Sequence, residues 1–374
     1  MNQSVVISGA GVWNPPHRIT NEELVDSYNA YAEKFNSDNA NAINNKEVAE
    51  MPLSSAPFIY KASGIKQRYI YIKDGALDID RMRPRIPKRA DNELSHQGEI
   101  ALNAAKLALA DANKDAADID AVIVSCAYTE RAYPAIAIEV QNALNISGFG
   151  FDMLMACSAA TFALQRAYEM VKSGTANCVL VINPELTSPQ VNYKDRDSHF
   201  IFGDVSTAVV IEGADTCESE HSYEILGTKA VTQFSNNIRS NFGYISHAID
   251  DEPFNPDNLF HQNGRGVFKE VCPMAAKHIE DHLTSLNYTP QDLTRWWLHQ
   301  ANINMNLLIS KRLLGRDATL EEAPIVLDEY ANTASAGSII AFVKHNKDLP
   351  SGSVGVICSF GAGYSIGSLV IKKR

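Results

Sequence analysis

Three side chains with nucleophilic or hydrogen-bonding chemistry stand where one predicted element gives way to the next. Cys157 follows an apolar, strand-like run and opens a stretch of small residues, SAAT, that begins a predicted helix. His299 ends the short predicted strand RWWLH, and Asn332 precedes another predicted helix. The helix dipole and free N–H groups favour a thiolate at a helix N-terminus, and strand ends in α/β folds face ligand clefts. Cys157 is therefore a candidate nucleophile, with His299 and Asn332 as candidate polar partners.

Each of these residues also has an ordinary structural explanation. A cysteine between apolar residues is more often an inert core residue, and asparagine is a favoured helix N-cap. A histidine at a strand end is more often a packing residue than a functional one. The core explanation is assigned to Cys126, Cys178 and Cys358, which lie inside predicted strands.

A glycine-containing segment, SFGAGYSIGS, follows a buried strand near the C-terminus. Gly361, Ala362 and Gly363 permit backbone N–H groups to approach a ligand closely, as an oxyanion hole requires. An ordinary turn between two strands would use the same residues.

The elements that must position these residues alternate between strand and helix. Apolar, β-branched runs predict strands, and helical spacing of apolar residues predicts the helices between them. The predicted strands cover 4–12, 120–128, 178–185, 206–213, RWWLHQ, PIVLD, SVGVICSF and YSIGSLVIKK, and the predicted helices cover about 24–35, 98–112, 135–145, 157–172, 267–286, 303–314 and the run from Asn332. This alternation predicts an α/β fold.

The order of elements repeats at a separation of 175 residues. Adding 175 to Val122, Cys157 and Cys178 gives Trp297, Asn332 and Ser353. The repeat predicts two similar α/β halves, 1–215 and 216–374, with Cys157 and Asn332 at equivalent helix N-termini facing one cleft. Residues 29–92 interrupt the pattern and predict a partly helical surface insertion. The polar stretch 232–264 predicts irregular structure.

Composition excludes several classes of function. The net charge of -11 argues against nucleic acid or anionic lipid as the main partner, and no apolar run reaches the length that spans a bilayer. The start MNQSVVISGAGVWNPP reads as a buried strand, not a signal peptide. The six cysteines are scattered without metal-binding spacing, which predicts a reduced, cytoplasmic protein with no metal site. A basic cluster over 81–89 predicts either a solvated loop or a docking site.

Several segments resemble a known family. ACSAATFAL, LHQANIN, EYANTASAGS and SFGAGYSIGS are similar to the active-site segments of β-ketoacyl-acyl carrier protein synthase III, and FGDVSTAVVI and SGIKQRYI to two further segments. The similarity covers nearly the whole chain outside about 30–57 and 72–92, and the extra length resembles a longer variant of the enzyme. The resemblance implies the thiolase-like fold, with two duplicated halves forming a five-layer αβαβα sandwich.

The resemblance also implies a reaction. Cys157 attacks an acyl-CoA, while the N–H of Cys157 and one from the 361–363 loop hold the oxyanion. Malonyl-acyl carrier protein then enters, and His299 and Asn332 stabilise the enolate as CO₂ leaves. The carbanion attacks the acyl group to give a β-ketoacyl product. No metal or redox cofactor is implied.

Further roles follow from the same resemblance. Tyr133 matches an aromatic residue that reaches across a homodimer interface and limits the acyl pocket, and Phe360 one that shields the decarboxylation site. The implied carrier-protein contacts are Lys269, Gln300, Ala301, Asn302, Ile303, Asn304, Lys311 and Arg312.

The chain departs from the family at three of these positions. Asn304 stands where the family usually has an arginine for carrier docking, and Phe58 and Ala62 replace the tryptophan and arginine usually offered to the CoA adenine. The identity of the acyl donor is therefore open, and a medium-chain acyl group is the expectation.

Three alternatives remain at this point. The chain could start a polyketide or resorcinol pathway, transfer acyl groups without decarboxylation, or serve as a non-catalytic partner subunit. Such partners usually lose one catalytic group, whereas this chain keeps all three. A dinucleotide-dependent dehydrogenase fits less well, because SGAGVWNPP lacks the third glycine and the helix of that fingerprint.

Overall fold

The computed structural model describes residues 4–250 and 255–374. Its strands are β1 (Val5–Trp13), β2 (His17–Thr20), β3 (Gln67–Ile70), β4 (Ala121–Cys126), β5 (Phe149–Leu154), β6 (Cys178–Glu185), β7 (Val205–Gly213), β8 (Tyr223–Ser235), β9 (Ile238–Arg239), β10 (His261–Gln262), β11 (Arg295–Leu298), β12 (Val354–Gly361) and β13 (Gly363–Lys373). Its α-helices are α1 (Asn21–Asp38), α2 (Ala40–Asn44), α3 (Ala56–Ser63), α4 (His96–Ala112), α5 (Ile136–Leu144), α6 (Ala159–Ser173), α7 (Tyr244–His247), α8 (Gly264–Ser285), α9 (Ile303–Leu314), α10 (Leu327–Tyr330) and α11 (Gly337–Lys344).

The large sheet has two halves with the same internal order. Its strands run β11-β12-β13-β8-β1-β7-β6-β4-β5. Reading outward from the middle, β1-β7-β6-β4 in one half matches β8-β13-β12-β11 in the other. The two half-sheets are joined by the antiparallel pairing of Val6 and Ile7 with Glu224 and Tyr223. The predicted duplication is therefore present in the topology, and the predicted boundary at 215/216 falls between β7 and β8.

Helices cover both sides of each half-sheet. α6 and α11 lie between the halves, since α6 contacts strands of both and α11 contacts β1, β11 and β12. α4 and α5 pack on the outer face of the first half, and α8 packs on the outer face of the second with α9 beside it. This arrangement is the predicted five-layer αβαβα sandwich, with small and branched side chains of α6 and α11 filling its centre.

The predicted insertion forms a cap over one end of the sandwich. The cap comprises β2 and the start of α1, which precede residue 29, together with the rest of α1, α2, α3 and β3, which lie within the predicted insertion. Thr20 and Glu23 start α1 through a reciprocal capping box, which satisfies two N–H groups at the helix end. Ile19, Ile59 and other apolar residues of the cap pack against the segment around Phe202. The cap is thus part of the protein core and supports residues near the cleft.

Two sequence-based predictions differ from the structure. PIVLD is not a strand, because the chain turns there into α10, so the second half-sheet lacks the counterpart of β5. The polar stretch 232–264 is partly regular: β8 continues to Ser235 and β9 pairs with β10, while residues 251–254 lie outside the described part. In the described ranges, no helix combines the length and the apolar character that a bilayer crossing needs.

Candidate active site

One cavity collects the three candidate residues. It has a volume of about 210 Å³, and Cys157, His299, Asn332, Phe360 and Gly361 all line it. The rest of its wall includes Ala62 and Ser63 of the cap, Asp197, Phe200 and Ile201 before β7, Phe260 before β10, and Val267 and Phe268 of α8. Cys157 and Asn332 therefore line one cleft, as predicted.

Cys157 lies in a 3-10 turn, Ala156–Ser158, directly before α6. Burial raises the pKa of its thiol to about 12, and the Glu185 charge adds to this, while the backbone N–H groups of Ala362 and of Cys157 itself oppose it. The helix N-terminus was expected to favour thiolate, but desolvation outweighs it in the resting site. Cys157 therefore rests as a thiol, and its proton must leave when the sulfur attacks an electrophile.

The glycine-containing loop approaches Cys157 as closely as predicted. A Cβ at Gly361 would lie 2.4 Å from the Cβ of Cys157, so only glycine fits there without displacing the cysteine. The next residue, Ala362, directs its N–H at the Cys157 sulfur. The N–H groups of Ala362 and Cys157 thus converge on one point, which suits stabilisation of an oxyanion formed on an acyl-cysteine.

His299 follows β11 and is buried beside an aromatic ring. Its imidazole stands at 90° to the ring of Phe360, with 5.2 Å between the centroids. Burial lowers the pKa of His299 to about 4, so the ring is neutral near pH 7. Its Nδ1 is buried without a hydrogen-bond partner. A neutral imidazole in this setting can donate a single hydrogen bond to a ligand without bringing a charge into the cavity.

Asn332 is held by its main chain and by its side-chain oxygen. Its N–H donates to the carbonyl of Ile201 at 2.9 Å, and its carbonyl accepts from the N–H of Gly203 at 3.1 Å. The N–H of Ala334 donates to Oδ1 at 2.9 Å. Because Oδ1 is occupied, the amide NH₂ is the group left to act on a ligand.

The helix predicted from Asn332 begins later than expected. A 3-10 turn at Ala334–Ala336 comes first, and α11 starts only at Gly337. Asn332 is therefore not its N-cap. The residue before it, Ala331, has φ 58°, just as Ala156 before Cys157 has φ 44°. The two positions related by 175 residues thus share a left-handed backbone as well as a place in the sequence.

The predicted peripheral residues fall into different environments. Tyr133 is 76% exposed and lies outside the cavity of its own chain. Lys269 on α8 and Asn304, Lys311 and Arg312 on α9 are exposed. Lys311 is paired with Asp317 at 3.0 Å.

The HQANIN turn mostly builds the cavity itself. Ala301 and Asn302 line it, and Ile303 packs into the cap cluster. Gln300 requires a correction, since it is fully buried, donates to the carbonyl of Leu298 and accepts from the N–H of Val326. It braces the turn and has no surface to offer a carrier protein.

The basic cluster over 81–89 is largely engaged within the chain. Arg85 pairs with Asp74, and Arg89 pairs with Glu99. The first pair lies within the insertion and the second ties the insertion to α4, so both favour the structural explanation of the cluster over a docking site.

Sequence reasoning missed two contributors to the site. The segment that ends at Gly203 pairs with Asn332. Glu185, which is buried at the end of β6, contacts the turn that follows Asn332. An acidic residue closing the otherwise apolar strand CVLVINPE was the available signal for Glu185, because a buried carboxylate needs specific donors.

Comparison with family models gives a match in each half. The model for 3-oxoacyl-[acyl-carrier-protein] synthase III matches residues 151–233, and the model for the C-terminal part of the same enzyme matches residues 283–373. The first match contains Cys157, and the second contains His299 and Asn332.

Comparison with known proteins gives matches along almost the full length. The chain is 52% identical to the β-ketodecanoyl-[acyl-carrier-protein] synthase of Pseudomonas aeruginosa over 94% of this chain and 100% of that protein. It is 28% identical to the β-ketoacyl-[acyl-carrier-protein] synthase III of Granulibacter bethesdensis over 88% of this chain and 94% of that one. The crystal structure of the synthase III of Pseudomonas aeruginosa superposes with a TM-score of 0.77 at 21% identity, over 99% of this chain and 98% of that one, and shows the same fold.

Proposed function

Because the chain belongs to the β-ketoacyl-acyl carrier protein synthase III family and is a decarboxylating condensing enzyme, we propose that it condenses a medium-chain acyl group, octanoyl, from CoA with malonyl-acyl carrier protein. The donor length rests on the relative that is 52% identical and named for a β-ketodecanoyl product. Two carbons of such a product come from the malonyl unit, which leaves an octanoyl donor. The observation that carries the residue assignment is the single cavity lined by Cys157, His299 and Asn332.

The first half-reaction uses Cys157 and the loop after β12. The sulfur attacks the thioester carbonyl, the C–S bond to CoA breaks, and the thiol proton leaves with the CoA sulfur. Oxyanion charge develops where the N–H groups of Cys157 and Ala362 converge. His299 lines the same cavity, and the unprotonated nitrogen of its neutral ring can take the thiol proton and pass it to the CoA sulfur.

The second half-reaction uses His299 and Asn332 as neutral donors. Malonyl-carrier places its thioester carbonyl between them, the bond to the carboxylate breaks, and CO₂ leaves. The electron pair passes to the carbonyl oxygen and then forms the new bond to the acyl carbon. The C–S bond to Cys157 breaks, and Cys157 leaves as the thiolate and takes up the one proton that the overall reaction consumes. A donor aimed at such an oxyanion stabilises the transition state by about 3 kcal/mol. Phe360 packs on His299 and keeps water from this region.

The mouth of the cavity offers a surface for the CoA nucleotide. Phe58 lies one helical turn before Ala62, which lines the cavity, and the Arg196 guanidinium covers its ring at 3.8 Å from the centroid. A nucleobase can stack in the same way on either group. The family usually offers a tryptophan and an arginine to the nucleotide at positions 58 and 62. Here Phe58, Arg196 and Lys61 take over that role. The exposed Lys269 and Arg312 are proposed to meet an acidic carrier protein.

A homodimer in the cytoplasm completes the proposal. β5 is the outer strand of its half-sheet, and its ends, Phe149 and Leu154, are 42% and 53% exposed. A long, apolar edge strand is suited to pairing with the β5 of a second copy. That pairing would bring the exposed Tyr133 of one copy toward the acyl pocket of the other. All six cysteines are free, which is in keeping with a reducing compartment.

Competition between acyl-CoAs tests the donor and the nucleophile together. Wild-type protein would be incubated with equal concentrations of acyl-CoAs from acetyl to dodecanoyl, and the acyl-peptide identified by mass spectrometry. We expect octanoyl on Cys157 and none in Cys157→Ala, whereas the matched variant Cys217→Ala, which removes a half-buried thiol elsewhere, stays labelled. Acylation of another cysteine would contradict the assignment, and preferential acetylation would contradict the donor length.

A further inference from the structure

Glu185 is a buried carboxyl group for which the reaction above has no role. It ends β6, is 1% exposed, and lies where β6 meets the 3-10 turn Ala334–Ala336. A buried carboxylate is costly unless donors satisfy it. Its donors therefore indicate what it holds in place.

Three donors from two segments converge on this carboxylate. The N–H and the hydroxyl of Ser335 both donate to Oε1, the N–H at 3.1 Å. The N–H of Ala127, directly after β4, donates to Oε2 at 3.1 Å. Ser335 belongs to the turn whose first N–H, that of Ala334, holds Oδ1 of Asn332. One carboxylate thus ties the Asn332 turn to the end of β4.

The charge of Glu185 also reaches the nucleophile. Burial raises the pKa of Glu185 to about 7, although the hydrogen bonds from Ser335 and Ala127 act to lower it. The titratable groups around it are Cys126 and Tyr128 on the β4 side and Cys157 from the turn before α6, and the Glu185 charge raises the pKa of each. On the β7 side, Asp204 also acts on Tyr128 and has its own donors in Tyr71, Thr187 and Ser188.

We infer that Glu185 is a positioning residue for condensation: its carboxylate holds the turn that carries Asn332 against the end of β4. Because its charge also raises the pKa of Cys157, removal of that charge should favour the thiolate. The inference rests on the proposed roles of Cys157 and Asn332. Three donors require an acceptor at both oxygens, which only the ionised form supplies fully. As the pH falls through the pKa of Glu185, protonation weakens the acceptor that holds the Asn332 turn, and the rate of condensation should fall. Loss of the charge should also lower the pKa of the Cys157 thiol.

The substitution Glu185→Gln separates the two effects. Glutamine keeps one acceptor oxygen, so its NH₂ must face either Ala127 or Ser335, and the charge is gone. Above about pH 8, we expect alkylation of Cys157 by iodoacetamide to rise about three- to tenfold, since one pKa unit changes the thiolate fraction tenfold. Single-turnover condensation of the isolated acyl-enzyme with malonyl-carrier should fall about tenfold, as for a misplaced oxyanion donor.

A matched variant, Ser335→Ala, removes the hydroxyl donor and keeps the charge. It should lower condensation and leave the alkylation rate within about twofold of wild type. Parallel loss of both rates in Glu185→Gln, or rates equal to wild type, would overturn the inference. If Glu185→Gln does not fold, unchanged condensation in Ser335→Ala overturns it. Absence of acyl label on wild-type Cys157 would instead overturn the proposed function.

Discussion

At the residue scale, the polar chemistry of the cavity depends on neutral groups. Cys157 rests as a thiol, His299 as a neutral imidazole, and Asn332 is neutral at every pH. Enolate stabilisation needs donors that do not compete for the carboxylate of the incoming malonyl group, and neutral donors meet that need. A cationic histidine would pair with the carboxylate and stabilise the substrate before CO₂ leaves.

The neutrality of His299 can be tested directly. Because burial lowers its pKa to about 4, the His299 ring should stay neutral, without a second proton, from about pH 5.5 to about pH 8.5. Nitrogen-edited NMR across this range, with the signal assigned by its loss in His299→Gln, should show a constant neutral tautomer. A titration with a midpoint near the ordinary value of about 6.5 would contradict the prediction.

At the element scale, the cap and the segment before β7 support the Asn332 turn. Arg68 on β3 is buried and donates to the carbonyls of Ile19 and Phe200 and to Oδ1 of Asn21. The segment containing Phe200 continues into the residues that pair with Asn332. Arg68 therefore links the cap to the segment that pairs with Asn332.

Loss of this link should cost stability and activity together. We expect Arg68→Met to lower the free energy of unfolding by about 3 kcal/mol, because it leaves buried acceptors without a charged donor. Urea denaturation followed by fluorescence measures it, and condensation should fall with it. The control Arg85→Ala removes an exposed ion pair with Asp74 and should cost less than about 1 kcal/mol. An unchanged midpoint in Arg68→Met would show that the link is dispensable.

Sequence reasoning succeeded for elements whose apolar period is strong and failed where tertiary contacts decide. Cys157, His299 and Asn332 could be placed because each stands at a change of element, which the pattern shows. PIVLD has the composition of a strand, yet Val326 pairs with no strand and the chain enters α10 at the next residue. Residues 230–234 of β8 are exposed and mix apolar with polar side chains, so the pairing of β8 with β13 could not be seen in its own residues. Glu185 and Arg68 were missed because their meaning lies in distant donors and acceptors.

At the scale of the whole molecule, the two half-sheets leave different outer edges. The first half ends in β5, whereas the second half ends in β11 and lacks a fifth strand. β11 is buried, and the N–H of Trp296 donates to the carbonyl of Glu322, whereas β5 is partly exposed. Among the strands described, β5 is therefore the edge from which the large sheet can continue. A second copy added there would extend the sheet and cover Phe149 and Leu154.

Charged residues on this edge should separate the copies. In the double variant Phe149→Asp/Leu154→Asp, carboxylates would face each other across the pairing, so we expect a monomer by light scattering after size exclusion. Condensation should also fall, because Tyr133 would no longer reach the neighbouring pocket. The matched variant Leu320→Asp alters a residue that is 69% exposed in a loop and should remain dimeric. A stable dimer of the double variant would refute pairing through β5.

The left-handed residues before Cys157 and Asn332 have a consequence for engineering. Ala156 and Ala331 share a positive φ, 44° and 58°, directly before the two side chains that meet in the cavity. A new side chain at 157 would keep the Ala156 turn, whereas one at 332 must also accept the hydrogen bond that Oδ1 of Asn332 takes from the N–H of Ala334. Valine or isoleucine at 156 or 331 would be excluded, because a β-branched residue does not tolerate that φ. The backbone before each position thus fixes where its side chain points, and any redesign has to keep that backbone.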